Sequence, residues 1–276
     1  MNSELKDITQ NDLNSLHETF ILFGDPDAPY WFLGLEEGDH PGDGVVIDNF
    51  VRHLLVKTKK YKDAGKLSLR SFSPEGGHKF LPKLEDSGVR SGKNVKYQAT
   101  WGGYIKLLLS AEMHGSGTSW TIEDVKQYQK YNLGELDNSE GLPKSCLMEL
   151  FPMARKGRKK GQWPYSPLAD REGMEFMKTP SSYKDYAEQD RAKLLLSLVK
   201  KHQPKYLVCF GGDCKRVLMS QIDEEPKLLK IHQGKREMKV STVSYGTTKV
   251  IFSNHPTSHG ISNLYWKNLG AQLASL

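Results

Sequence analysis

The sequence predicts a three-layer α/β protein built on a parallel sheet. Two observations carry this. Four short β-branched or aromatic runs, at 30–35, 146–151, 206–210 and 248–253, are each closed by Gly, Pro or small polar residues. Segments of helical character lie between them, and alternating strand and helix favours parallel pairing with helices on both faces.

In chain order, residues 4–20 form an amphipathic helix, with Leu5, Ile8, Leu13, Leu16 and Phe20 on its apolar side, broken by Gly24-Asp25-Pro26. The first strand, 30–35, runs into Glu36-Glu37-Gly38 and a turn-rich loop at 39–44, and a helix follows at 45–56. Residues 57–100 are basic, rich in Gly, Ser and Pro and poor in apolar anchors. So long a loop inside one domain reads as an insertion, here over the active-site face. A helix at 101–113 is followed by Thr121-Ile122-Glu123-Asp124, a capping-box start with Asp in place of Glu. The second strand, 146–151, is expected to stop at Pro152. A long helix at 182–202 ends before Pro204. The third strand, 206–210, passes through Gly211-Gly212 into a helix at 213–222. Segments 239–245 and 248–253 read as a hairpin around Gly246-Thr247, and a helix at 263–273 closes the chain. The chain reads as one domain, 1–276, without internal repeats.

Composition narrows the class. Hydrophobic content is 37% and charged content 26%, and no apolar run is long enough to span a bilayer, so no membrane partner is expected. The first residues show neither a basic n-region nor an apolar h-region, and export is not expected. Three cysteines without a Cys-x-x-Cys spacing predict reduced thiols, no metal site and a cytoplasmic setting. No cofactor is called for. The net charge of +6 permits a polyanionic partner. Arg155, Lys156, Arg158, Lys159 and Lys160 form one local basic cluster.

The chemistry gathers at two strand ends. One run, Lys249-Val-Ile-Phe-Ser-Asn-His-Pro-Thr-Ser-His-Gly-Ile-Ser262, leads a strand into a turn opening with His255-Pro256. Pro256 biases His255 toward extended backbone, aiming it into the crevice where open α/β sheets place their ligands. The other run, Tyr30-Trp-Phe-Leu-Gly-Leu-Glu-Glu-Gly38, delivers two carboxylates. A carboxylate on one strand end and an imidazole on another are the minimum kit for breaking a glycosidic bond: one orients water, the other donates a hydrogen bond to the departing group.

Together these two runs resemble the signature loops of the uracil-DNA glycosylase superfamily, a Gly-x-Asp-Pro-Tyr or Gly-Glu-x-Pro-Gly loop after the first strand and a His-Pro-Ser loop after the last. The resemblance implies a central four-stranded parallel sheet between two helical layers. It also implies DNA as partner and base flipping during excision. Glu36 falls where that family carries its water-activating Asp, and Glu37, replacing its proline, stays a rival. His255 is the donor to the released base. The wedge residue of the last loop falls to His259 or Ile261. Some members carry a four-cysteine iron–sulfur cluster, and this chain lacks the ligands for one. A monomer is expected.

The base pocket is where the sequence departs from the uracil-specific pattern. The asparagine that ends the second strand in that pattern is absent from Leu147-Met-Glu-Leu-Phe-Pro152, and Gly38 stands where a tyrosine would close off the pyrimidine C5 side. Gly34, Gly38, Phe50, Glu149, Phe151 and Asn254 are the candidates for base contacts, with Phe50, Phe151 or Trp163 as stacking rings. Glu149 can accept from a cytosine amino group. Arg155, Lys156, Arg158, Lys159, Ser253 and Ser258 are candidates for phosphates. The expected activity is monofunctional excision of a C5-modified pyrimidine; glucosylated hydroxymethylcytosine of phage DNA fits, as part of a defence. A uracil glycosylase of base excision repair is one alternative. A non-catalytic module binding DNA or a DNA-mimicking protein is another. A nucleotide-binding enzyme of doubly wound type is disfavoured, since no Gly-x-Gly-x-x-Gly or Gly-Lys-Ser/Thr loop occurs.

Overall fold

The structure is a computed structural model that describes residues 9–18, 23–38, 99–133, 141–155, 163 and 165–276, with the backbone alone described at Asp12, Ser15, Leu16, Glu36, Glu37, Gly38, Lys130, Ala154 and Arg155. The expected helix at 45–56 and residues 57–98 of the expected insertion lie outside the described residues, as do Phe50, Lys156, Arg158 and Lys159.

Seven described strands form one mixed sheet: β1 (Phe23–Gly24), β2 (Tyr30–Gly38), β3 (Ser145–Arg155), β4 (Tyr206–Phe210), β5 (Lys227–Gln233), β6 (Arg236–Tyr245) and β7 (Thr248–Ser253), in the spatial order β1-β3-β2-β4-β7-β6-β5. β2 pairs in parallel with β3 and β4, and β4 in parallel with β7. β1 on one side and the β6–β5 hairpin on the other join antiparallel. The sheet is therefore wider and more mixed than the sequence suggested. β5 was not foreseen, because its apolar alternation is short and interrupted by Lys230 and His232.

The six described α-helices are α1 (Gln10–His17), α2 (Ala99–Glu112), α3 (Ile122–Tyr131), α4 (Pro180–His202), α5 (Gly212–Met219) and α6 (Asn263–Ala274). Adjacent residues of β2 show how α2 and α4 divide between the two faces. Phe32 stacks on Tyr104 of α2 at 5.0 Å, and Tyr104 stacks on Phe210 of β4 at 4.4 Å. On the opposite side Trp31 meets His202 of α4 at 5.8 Å. Each stacked pair adds about 0.5–1.5 kcal/mol beyond burial. α2 crosses α6 at Gly270, where a Cβ would overlap Ser110 and come within 2.8 Å of the Ala111 amide nitrogen.

Local chemistry sets the helix starts. The expected box at Thr121 forms: the Asp124 N–H donates to Thr121 Oγ1 at 3.2 Å, and the Thr121 N–H donates to Asp124 at 2.6 Å. α4 begins two residues earlier than expected because Thr179 and Ser182 make the same reciprocal pair, with Pro180 in the first turn. Pro152 does not end β3, which runs on to Arg155. β1 pairs only with Cys146 and Leu147, and the β2–β3 register shifts just beyond Phe151. Pro152 thus sits where its missing N–H has no described ladder partner, the usual place for proline in a strand.

Arg191 is 1% exposed and clasps α1 to β3 by donating to the backbone oxygens of Leu150 (2.7 Å), His17 (2.9 Å) and Glu149 (3.2 Å). His17, beside it, is buried, and burial followed by the Arg191 charge lowers its pKa from 6.5 to about 4. The imidazole is thus neutral in the fold and favoured over its unfolded form above pH 6.5. That advantage, about 3 kcal/mol when complete, is lost as pH falls toward 4. Unfolding by denaturant across pH 4–7 should show this loss, and His17→Phe should flatten it; an unchanged pH slope in the variant would contradict the assignment.

Candidate functional site

The parallel register aligns the strand ends. Leu33 of β2 pairs with Cys209 of β4, and Cys209 with Phe252 of β7, so these three share one rung. Glu36 is three residues beyond that rung on β2, and His255 is three residues beyond it after β7. One strand, β4, lies between them. Two interstrand spacings make about 10 Å between the backbones. Phe151 of β3 is the register partner of Glu36.

The loop from Asn254 to Ser262 is held at both ends. At its start, Pro256 seats against α2 at Gly103: a Cβ there would lie 2.5 Å from Pro256 Cβ and 3.0 Å from Trp266 Cζ2. A glycine inside a helix costs about 0.5–1 kcal/mol relative to alanine, and this close approach is what the cost secures. At the loop's far end, Gln233 of β5 donates to the Gly260 carbonyl at 2.8 Å, and its Oε1 accepts from the Ser262 N–H (3.1 Å) and hydroxyl (2.8 Å). Ser262 also caps α6. Neither Gly103 nor Gln233 was singled out from the sequence. Gly102-Gly103 inside a helical pattern was the available signal for the first; Gln233 acts only through a distant loop and gave none.

Thr257 orients the His255 ring. The Thr257 N–H points at Nδ1 at 3.3 Å, and the Thr257 hydroxyl lies 2.8 Å from the same atom. A backbone N–H only donates, so Nδ1 accepts and Nε2 carries the proton of the neutral ring.

Glu149 and Gly34 are register partners on β3 and β2, and the Glu149 carboxylate lies directly over Gly34. A Cβ at Gly34 would overlap Oε2 and come within 2.7 Å of Oε1 and Cδ. Glycine is needed here for space rather than for backbone conformation. Burial first, then the Glu149 charge and Cys214, push the Tyr104 hydroxyl well above the usual phenol range. Cys214, fully buried, is shifted up by the same burial and by Glu149. Cys146, Cys209 and Cys214 are all free and buried.

Several expected contacts fall elsewhere. Phe151 is fully buried, meeting Tyr183 at 6.0 Å with the Lys184 ammonium 5.5 Å from its ring; it is a core residue, not an open stacking face. Trp163 is likewise buried, its indole N–H donating to the Met177 carbonyl. Ser253 is 5% exposed and shares a 2.7 Å hydrogen bond with the Tyr265 hydroxyl, which braces the strand end and turns it away from any phosphate. Ile261 packs half-buried against the core, whereas His259 and Ser258 are exposed. Of the two wedge candidates, His259 is the one that stands out from the surface. Asn254 is half-buried beside His255.

Among the described residues no group of His, Cys, Asp and Glu is arranged to hold a metal, and no helix is long and apolar enough to cross a membrane. Comparison with models of known protein families, with curated proteins and with solved structures returned no match.

The tight seat at Gly103 makes a prediction. Gly103→Ala should lower the thermal midpoint despite alanine's better helix propensity, and should shift the His255 ring resonances in NMR spectra. An unchanged spectrum with a raised midpoint would show that Pro256 yields freely.

Proposed function

We propose that this chain is a monofunctional DNA glycosylase acting on a C5-modified pyrimidine, most directly a modified cytosine. The observation that carries the reading is that Glu36 and His255 each follow the Leu33–Cys209–Phe252 rung by three residues, on either side of β4. The core of parallel strands between two helical layers is the arrangement that the resemblance to the uracil-DNA glycosylase superfamily implies, and it supports the same reading.

In this mechanism the nucleotide is flipped out of the duplex and spans the cleft. Water adds to C1′ as the C1′–N bond breaks. The bonding electron pair leaves with the base, and the water proton passes to the carboxylate. His255 donates from Nε2 to the oxygen of the departing base, stabilising its negative charge without full proton transfer. Glu36 is preferred to Glu37 as the carboxylate because it falls where the resemblance places the water-activating Asp.

Glu149, whose carboxylate lies over Gly34, is the acceptor for an exocyclic amino group, a donor cytosine has and uracil lacks. The absence of a side chain at Gly38 leaves room beside C5. Hydroxymethylated or glucosylated cytosine of phage DNA fits both features, and with it a defensive role.

The test incubates the protein with DNAs containing uracil, cytosine, hydroxymethylcytosine or glucosylated hydroxymethylcytosine and scores alkali-labile abasic sites. Release should favour the modified cytosines. Glu36→Gln and His255→Ala should each slow release by roughly 10²–10⁴-fold while DNA retention changes little. Abasic product from none of the four DNAs would remove the glycosylase reading, and equal release of uracil and modified cytosine would remove the C5 reading. Gly34→Ala, which displaces the Glu149 carboxylate, should reduce release from cytosine-type substrates; full activity in that variant would take Glu149 out of base recognition.

A further inference from the structure

The β5–β6 hairpin stands beside the cleft and has no part in the chemistry above. Its tip is the two-residue turn Gly234-Lys235, with Gln233 paired to Arg236 and Gly234 in the left-handed region at φ +66°. β6 is antiparallel to β7, so this tip rises on the same edge as the ends of β2 and β7. Ser241 is the partner of Phe252, and Arg236 lies five residues above it, whereas Glu36 and His255 lie three above the same rung. At about 3.4 Å per residue the tip overhangs the site by about 7 Å.

The hairpin is fixed in that position. Gln233 ties it to Gly260 and Ser262 of the His255 loop. The α6 side chains Asn268 and Gln272 donate to the β5 backbone carbonyls of His232 and Lys230 at 2.5 and 2.9 Å. The Arg236 guanidinium reaches the loop itself, with Nη1 3.0 Å from where a Cβ of Gly260 would be.

The tip is also cationic without compensation. Lys235 and Arg236 are exposed, and among the described residues neither makes an ion pair. The neighbouring acid, Glu237, belongs to the other face, where it meets Lys230 at 3.5 Å and His232 at 3.8 Å. Two unpaired cations on a rigid arm above a cleft suit a polyanionic backbone that passes over the cleft and carries on beyond it.

We propose that the β5–β6 hairpin is a phosphate-binding arm, in which Lys235 and Arg236 grip the DNA backbone beside the flipped nucleotide while the exposed His259 of the adjoining loop faces the duplex. The inference rests on the glycosylase reading for the identity of its ligand. The contacts are to phosphate, so they add affinity without choosing a base.

The test measures binding of a duplex with one target base, and of the same duplex without it, across a salt series. Each phosphate contact contributes about 0.9 to the slope of log affinity against log salt. Lys235→Ala/Arg236→Ala should lower that slope by about 1–2 on both duplexes. Lys200→Ala/Lys201→Ala removes the same charge from the end of α4, at the opposite edge of the sheet, and should leave the slope unchanged. Equal losses in the two double variants would mean that net charge alone is read, and no loss at the tip would mean that the arm does not touch DNA; either overturns the proposal. Base release by the unaltered protein is scored separately. A tip-specific slope change without base release would keep the arm and discard the glycosylase, whereas base release without a slope change would do the reverse.

Discussion

The parallel hydrogen-bond register of β2, β4 and β7 is the constraint on which the rest of the molecule depends. It sets Leu33, Cys209 and Phe252 on one rung, and it therefore sets where β2 delivers Glu36 and where the loop carrying His255 begins. Strand register is unforgiving, because a slip of one residue moves every side chain to the opposite face. Here it is pinned by packing: Phe32 and Phe210, on neighbouring strands, both stack on Tyr104, and Trp31 is held on the other side by α4. A slip would bury Leu33 where an aromatic ring belongs and expose Phe32 to the wrong layer.

Above that rung the molecule relies on close approaches rather than on flexible side chains. Gly103 lets Pro256 reach α2, and Gly34 lets the Glu149 carboxylate occupy the space over β2. Gln233 spends both ends of its amide on the far end of the His255 loop. Leaving any of those buried groups unpaired would cost about 1–3 kcal/mol, so the loop is held in one arrangement. A preorganised donor is what stabilisation of a leaving anion demands, since a group that must reorient during the reaction forfeits much of its effect. The orientation of His255 by Thr257 belongs to the same scheme, for it determines which nitrogen bears the proton.

The sequence made the parallel strands legible because each is a buried run closed by an abrupt breaker, and it made the β6–β7 hairpin legible through Gly246. Capping at Thr121 was readable from four residues. What stayed hidden were features set by partners far away in the chain. β5 looks half polar because one face is open and the other meets α6. Pro152 looked like a stop because nothing local reveals that its neighbour strands ask for no N–H there. Phe151 and Ser253 looked like site residues because they stand at strand ends, yet the aromatic cluster around Tyr183 and the Tyr265 hydroxyl claim them for the interior. The two loops that carry the proposed site were thus readable in the sequence, while the contacts that hold them were not.

The proposed site requires positions 36 and 255 to meet across β4 at a span one nucleotide can bridge. The most direct test replaces both, Glu36→Cys and His255→Cys, and treats the folded protein with a bis-maleimide reaching about 10 Å, twice the spacing of neighbouring strands. The native thiols Cys146, Cys209 and Cys214 are fully buried and do not compete. The account predicts an intramolecular cross-link between residues 36 and 255 in the double variant. Two separate single-ended adducts, with no link between them, would contradict it.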